Sequence, residues 1–266
     1  MSSHSTIGGK TRLAAVLGWP VEHSKSPAMH NAGFAALGID AAYLALAIEP
    51  SALAAAVAGL KAMRALGASV TLPHKQAMMQ LCDTLSPAAK AIGAVNTLEF
   101  CEDNTLRGHN TDAGGFVRAF VDSTNENFQD RRVLLLGGGG AAKAVAHGVK
   151  EAGASLVELV ARSPAKVNWT SALPWHADVL EEALRQCDVL IDCTSMGLDA
   201  KSEAQIPAPL PLQHMPETGI VSTLVYHRET ALLSQAKAQG LRTVDGAGML
   251  LFQGALAFEL WTGQAA

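Results

Sequence analysis

Lys75 closes the run Ala68-Ser69-Val70-Thr71-Leu72-Pro73-His74-Lys75, where β-branched residues meet a proline and a helical pattern continues through Met78, Met79 and Cys82. The pattern predicts a strand that hands over to a helix at Pro73, a residue favoured at the first helical position. Lys75 then falls in the first helical turn, where the macrodipole disfavours a cation by roughly 0.3–1 kcal/mol. The same field lowers the pKa of an ammonium group, and a lysine tuned in this way is a usable base. The alternative is a lysine whose charged end bends away into water, and the local sequence leaves both readings open.

A second chemical signal is Gly137-Gly138-Gly139-Gly140-Ala141-Ala142, which directly follows the apolar run Arg132–Leu136 and opens a helical pattern. It matches G-x-G-x-x-A in the strand-to-helix setting that the motif requires. Glycine lets the main chain turn tightly and approach a pyrophosphate, whose charge is met by helix N-terminal N–H groups. The next strand ends in Val160-Ala161-Arg162-Ser163 without the Asp or Glu that an NAD site uses for the ribose hydroxyls. Arg162 and Lys166 are cationic and Ser163 can hydrogen-bond, so the loop suits the 2′-phosphate of NADP. An ordinary solvated face is the bland alternative for the two cations.

Polar clusters follow several strand-like runs: His23-Ser24-Lys25-Ser26-Pro27, Thr71 with Lys75, Ala94-Val95-Asn96-Thr97 and Asn110-Thr111-Asp112, with Gln253 in the last helical segment. In open α/β sheets ligands collect beyond the carboxyl ends of strands, so four clusters placed there suggest one site. Taken singly, each has a structural explanation. Ser24 and Ser26 fit helix caps, Asn96 a strand edge, Asp112 an N-cap for a helix from Ala113, and Gln253 a buried helix polar group.

The elements that must position these groups alternate along the chain. Leu13–Gly18, Ser26–Leu37, Ala42–Ile48, Pro50–Leu66 and Ser69–Leu72 read as β-α-β-α-β, which implies a mostly parallel sheet with helices on its faces. A second α/β unit starts with the strand at Arg132–Leu136, the helix Ala141–Glu151, and strands at Leu156–Ala161 and Val189–Cys193. Between the two, Val95–Phe100 reads as a strand, Glu102-Asp103-Asn104 as a turn and Ala113–Val121 as a helix. Gly248–Trp261 is a strongly apolar final helix, and Pro207–Pro216 a loop rich in helix breakers.

Composition narrows the function classes. At 266 residues, 49% apolar and 17% charged, the chain has material for two folded domains rather than a disordered segment. Twenty basic against twenty-four acidic residues leave no electrostatic footprint for nucleic acid. No apolar run reaches the roughly 18 residues of a membrane span, and Met1–Lys10 has neither a signal-peptide core nor an Arg-rich amphipathic pattern. A cytoplasmic protein is the expectation. Cys82, Cys101, Cys187 and Cys193 lack C-x-x-C spacing, so buried thiols are expected rather than disulfides or a metal site.

Taken together, the motifs resemble the shikimate/quinate dehydrogenase family over most of the chain, from Gly18 to Gly263. The matching pieces are Gly18-Trp19-Pro20 with His23–Pro27 and His30-Asn31, Val70–Lys75, Gly93–Thr97 and Asn110-Thr111-Asp112. To these are added the glycine loop, Cys193-Thr194-Ser195-Met196-Gly197, and Asp245–Leu250 followed by Gln253. The resemblance implies an α/β protein with a substrate-binding domain, residues 1–108 and 243–266, and an NADP-binding Rossmann domain, residues 109–242, with a cleft between them. It further implies that Ser24, Ser26 and Tyr226 hold a substrate carboxylate, that Thr71, Asn96 and Gln253 bind ring hydroxyls, and that Lys75 and Asp112 form the catalytic pair. Gly137, Gly138, Gly139, Gly140, Ala141, Arg162, Ser163, Lys166, Leu224 and Gly246 would contact the cofactor, and no metal is implied.

Two departures mark a divergent member. The family usually carries Asp-Leu-Val-Tyr-Asn-Pro near the cofactor, where this chain has Thr223-Leu224-Val225-Tyr226-His227-Arg228 and is one residue shorter up to Thr230. Ala161 stands where an Asn commonly precedes the cofactor arginine. The implied activity is reversible NADP-dependent reduction of 3-dehydroshikimate to shikimate. Quinate or an amino-substituted analogue is the alternative substrate, and a non-catalytic sensor of NADP or a shikimate-like ligand is the alternative class. The implied partner is a small hydroxylated ring carboxylate, and the sequence is compatible with a monomer or a homodimer.

Overall fold

The computed structural model describes residues 7–198, 202 and 210–265, so Pro207–Pro209 of the proline-rich loop lie outside the described residues. The chain divides into two compact units. One runs to Thr111 and includes the chain again from Gln253; the other is Asp112–Phe252. The expected boundaries at 108/109 and 242/243 thus shift, because the division follows packing: β12 (Arg242–Val244) is a strand of the second unit's sheet.

The first unit is built on a six-stranded sheet of order β2-β1-β3-β5-β6-β4. Its strands are β1 (Arg12–Gly18), β2 (Ala41–Ala47), β3 (Gly67–Val70), β4 (Thr84–Leu85), β5 (Thr97–Phe100) and β6 (Leu106–His109). The β-α-β-α-β portion is parallel as patterned, with β1 pairing both β2 and β3. β5 enters antiparallel between β3 and β6, so the sheet is mixed. Helices α1 (Ser26–Ala36) and α2 (Leu53–Ala62) supply the parallel crossovers, and α3 (Pro87–Ile92) lies in the connection from β4 to β5. On β1 the consecutive residues Ala14, Ala15, Val16 and Leu17 are all buried, as expected for a central strand covered on both faces.

The second unit has a parallel sheet of order β12-β11-β10-β7-β8-β9. Its members are β7 (Arg132–Leu136), β8 (Leu156–Ala161), β9 (Leu173–Pro174), β10 (Val189–Asp192), β11 (Ile220–Thr223) and β12. Helices α4 (Asp112–Thr124), α5 (Gly140–Glu151), α6 (Ala177–Arg185) and α7 (Ala231–Ala238) belong to this unit. Val133 and Leu135 face one apolar core while Leu134 and Leu136 face another, the period-2 consequence of a strand buried on both sides. The strand order steps outward from β7 to β8 on one side and to β10 on the other. That reversal is a topological switch point, and the glycine loop leaves β7 there.

The final helix α8 (Ala247–Thr262) crosses the division, and its C-terminal part packs within the first unit. Gly254 lies against Met29 and Gly33 against Phe258, so the two glycines let α8 and α1 approach closely. The Trp261 indole N–H donates to the Leu98 carbonyl at 2.9 Å, and Gly67 leaves room for the ring.

Candidate functional site

The structure corrects the expected setting of Lys75. No helix begins at Pro73; residues 72–76 form turns, followed by a short 3-10 helix at Ala77–Gln80, and the Leu72–Pro73 bond is cis. The reason lies in the hydrogen bonds. The Lys75 carbonyl accepts the Val95 N–H at 2.8 Å, so it is diverted from a helical ladder, and the buried His74 ring is held 2.8 Å from the Ile48 carbonyl oxygen. A four-residue 3-10 segment has little macrodipole, so the expected helix field at Lys75 is lacking. Lys75 is placed instead by its link to the chain before Asn96.

Thr71 continues the β1–β3 pairing, its N–H donating to the Leu17 carbonyl at 2.9 Å. Its methyl carbon would lie only 2.5 Å from a Cβ at position 18, which is why the end of β1 is glycine. Beyond that end, the chain turns into α1. The Ser26 N–H donates to Ser24 Oγ at 3.3 Å, while Lys25, not a serine, is the N-cap and makes no side-chain cap. The Ser24 hydroxyl thus stands beside an N–H that opens an 11-residue helix, a place suited to a carboxylate, whereas Ser26 is buried and its hydroxyl meets Tyr43.

Asn96 is buried in a tight network. Its Oδ1 accepts the Thr111 N–H at 2.8 Å and the Thr97 hydroxyl at 3.0 Å, and its Nδ2 donates to Thr111 Oγ1 at 3.0 Å. Asn110 Nδ2 donates to the Ala94 carbonyl at 3.0 Å, tying the same two segments again. Asp112 is the next residue after Thr111 and the first of α4, where a carboxylate is favoured by exposed helical N–H groups. Gln253 is half-buried on α8, one residue before the Gly254 that meets α1.

In the second unit, Gly137 adopts φ +93°, a left-handed conformation that favours glycine, and Thr194 would crowd any Cβ there, with Cγ2 at 2.8 Å. Gly138 is crowded by Val167, whereas positions 139 and 140 face open space. A loop packed beneath and open above, leading into the twelve-residue α5, fits a dinucleotide pyrophosphate. Ala141 lies in the first turn of α5. Arg162, Ser163 and Lys166 follow β8 and are all exposed, around a 3-10 turn at Pro164–Lys166. They are free to meet a phosphate from solvent. On the other side of the switch point, Leu224 and Gly246 come together: the Gly246 N–H donates to the Val225 carbonyl at 3.0 Å, and a Cβ at 246 would collide with Leu224. Tyr226 follows them, 39% exposed, with His227 edge-on at 5.6 Å and the His227 ring 2.7 Å from the Leu198 carbonyl oxygen.

Burial shifts the acidity of Tyr43, His30 and Asp192, which the sequence reading did not anticipate. The Tyr43 hydroxyl donates to Ser69 Oγ at 2.7 Å and also interacts with Ser26; burial raises its pKa. His30 is 2% exposed, stacked on Tyr43 at 4.4 Å, and burial lowers its pKa to about 4. Asp192, at the end of β10, has its pKa raised to about 6 by burial, opposed by hydrogen bonds from Thr194. A polar residue inside an apolar strand run was the only signal available for Asp192. All four cysteines are free; Cys187 and Cys193 are buried as expected, while Cys82, packed against the first unit's core, and Cys101 are only half-buried. Among the described residues no helix is long and apolar enough to cross a membrane.

Comparison with known proteins places the fold among relatives. Residues 16–98 match the shikimate dehydrogenase substrate binding domain, and residues 246–266 match the shikimate 5′-dehydrogenase C-terminal domain. A shikimate dehydrogenase (NADP(+)) of Desulforamulus reducens is 38% identical over 273 residues, covering 98% of this chain and 93% of the relative. The Thermus thermophilus shikimate 5-dehydrogenase, solved with NADP(H) and shikimate, superposes with a TM-score of 0.83 at 38% identity, covering 96% of this chain and 95% of that one. A ligand-free 5-ketofructose reductase of a Gluconobacter strain superposes with a TM-score of 0.85 at 32% identity, covering 97% and 95%. With identity at this level sustained over nearly the whole length, the chain belongs to the shikimate dehydrogenase family.

Proposed function

We propose that this protein catalyses the reversible NADP-dependent reduction of 3-dehydroshikimate to shikimate, with Lys75 and Asp112 handling the hydroxyl proton. The observation that carries the reading is the Asn96–Thr111 network. Val95, bonded to the Lys75 carbonyl, precedes Asn96, and Thr111 precedes Asp112, so one set of buried hydrogen bonds fixes the main chain beside both proposed catalytic residues.

Bound NADP supplies the hydride acceptor in oxidation and the donor in reduction. The rest is done by the chain's own groups. In oxidation the Lys75 amine takes the hydroxyl proton as the carbon–oxygen double bond forms; in reduction its ammonium returns that proton to the oxygen and stabilises the developing negative charge. Asp112 orients the ammonium and the hydroxyl. Ser24 and Ser26 bind the carboxylate at the start of α1, assisted by Tyr226, while Thr71, Asn96 and Gln253 bind ring hydroxyls and set which carbon faces the cofactor. Gly137–Gly140 and Ala141 hold the pyrophosphate, Arg162, Ser163 and Lys166 the 2′-phosphate, and Leu224 and Gly246 the nicotinamide end. Four free thiols are compatible with a reducing, cytoplasmic setting.

The likeness to a 5-ketofructose reductase favours one second reading, a keto-sugar substrate in the same fold. Steady-state rates with NADP⁺ or NAD⁺ against shikimate and quinate, and with NADPH against 3-dehydroshikimate and 5-ketofructose, separate the readings. Shikimate with NADP⁺ is expected to give the highest kcat/KM. A keto sugar reduced faster than 3-dehydroshikimate overturns the shikimate assignment, and binding of NADPH without turnover of any of these substrates favours a sensor.

A further inference from the structure

The side chain of Trp169 reaches back to the glycine loop, its indole N–H donating to the Gly138 carbonyl at 3.0 Å. Val167, two residues earlier, packs so closely on Gly138 that a Cβ there would collide with it. The segment that follows the 3-10 turn therefore grips the glycine loop by one hydrogen bond and one apolar contact. We infer that Trp169 is a positioning residue for the cofactor, aiming the Gly139 N–H at the pyrophosphate; this rests on the assignment of the glycine loop as the dinucleotide site.

The geometry follows from the planar trans peptide. The carbonyl of residue 138 and the N–H of residue 139 lie in one rigid plane and point in opposite directions within it, so anchoring the carbonyl on Trp169 turns the N–H the other way. The loop is also uncrowded at its outer positions, with nothing within 4 Å of a Cβ at Gly139 or Gly140, so a ligand can approach the main chain there. Four consecutive glycines have more conformational freedom to lose than any other tetrapeptide, so an unanchored loop would give up much of its binding energy on ordering. Thr194 braces the loop at Gly137 and Trp169 braces it at Gly138, leaving the two outer glycines for the anion. The tie is also independent of the 2′-phosphate: Trp169 touches the part of the loop that serves NADP and NAD alike.

The test is a set of dissociation constants measured by calorimetry on the full chain and Trp169→Phe, with NADPH, NADH and adenosine 2′-phosphate as probes. A neutral hydrogen bond corresponds to roughly a fivefold change in affinity. Trp169→Phe is expected to weaken NADPH and NADH by the same factor of about five to ten, and to leave adenosine 2′-phosphate, which has no pyrophosphate, within about twofold. Trp169→His, which keeps a ring N–H, is expected to recover part of the loss, and it takes the place of the Phe variant if thermal unfolding shows that variant to be unfolded. Unchanged affinities for all three probes overturn the inference, and so does a loss confined to adenosine 2′-phosphate and NADPH, which would assign the ring to the adenosine end. Failure of the parent chain to bind NADPH overturns the cofactor assignment itself, a separate result.

Discussion

The Oδ1 atom of Asn96 accepts the main-chain N–H of Thr111 at 2.8 Å, while its Nδ2 donates to the hydroxyl of the same residue at 3.0 Å. One side chain thus holds both the main chain and the side chain of the residue preceding Asp112. Asn96→Ala would leave the buried Thr111 N–H unpaired, a cost of about 1–3 kcal/mol. The expected result is a loss of that size in denaturant unfolding, together with a fall in kcat/KM of more than tenfold. A variant with parental stability would contradict the network's structural weight.

Lys75→Met keeps most of the side chain's length and removes the ammonium. If Lys75 transfers the proton, kcat drops by roughly 100-fold or more while KM for shikimate changes little, because the interaction is needed mainly in the transition state. A rise in KM with parental kcat would make Lys75 a binding group instead.

Arg162 is exposed beyond the end of β8, with Ser163 next to it and Lys166 one 3-10 turn further on. Arg162→Ala is expected to weaken NADPH by about tenfold or more, through loss of a bidentate charged pair, and to leave NADH unchanged. Fluorescence titration with both cofactors checks this. An equal loss for the two would move Arg162 away from the 2′-phosphate.

Two buried titratable groups give opposite pH slopes. His30, with its pKa lowered to about 4, stays neutral in the folded state while the unfolded chain takes up a proton near 6.5, so its contribution is present above that pH and is lost as pH falls toward 4. Asp192, with its pKa raised to about 6, keeps its proton in the folded state up to about that pH while the unfolded chain loses it near 3.8, so its contribution is present below 3.8 and is lost as pH rises through 6. Each effect is on the order of 3 kcal/mol. Relative to the parent, His30→Gln should gain stability as pH falls from about 7 to about 4.5, and Asp192→Asn should gain as pH rises over the same range. Urea unfolding at several pH values reads both differences, and slopes of the same sign would contradict the assignment.

Much of the architecture is legible because it depends on local pattern. The run Arg132–Leu136, the four glycines and the helix after them specify β7, its turn and α5 without help from distant residues. The motif clusters around Ser24, Thr71 and Asp112 likewise follow strands, whereas Asn96 comes just before β5 instead of after a strand. What the pattern missed depends on partners far along the chain. Pro73–Cys82 reads as a helix until Val95 takes the Lys75 carbonyl and Ile48 takes the His74 ring. Trp169 carries no local signal, and only its N–H on Gly138 marks it out, while Tyr43 lies in the expected strand Ala42–Ile48 with nothing to announce its hydroxyl on Ser69. The antiparallel entry of β5 is a tertiary choice of the same kind.

The most direct test of the central claim is the steady-state oxidation of shikimate by the purified protein, followed by the absorbance of the reduced nicotinamide with NADP⁺ and, in parallel, with NAD⁺. The expected result is turnover with shikimate, a kcat/KM about tenfold or more higher with NADP⁺ than with NAD⁺, and loss of that turnover in Lys75→Met. A parent protein that binds NADPH yet leaves shikimate unoxidised, or a Lys75→Met variant that oxidises it at the parental rate, would contradict it.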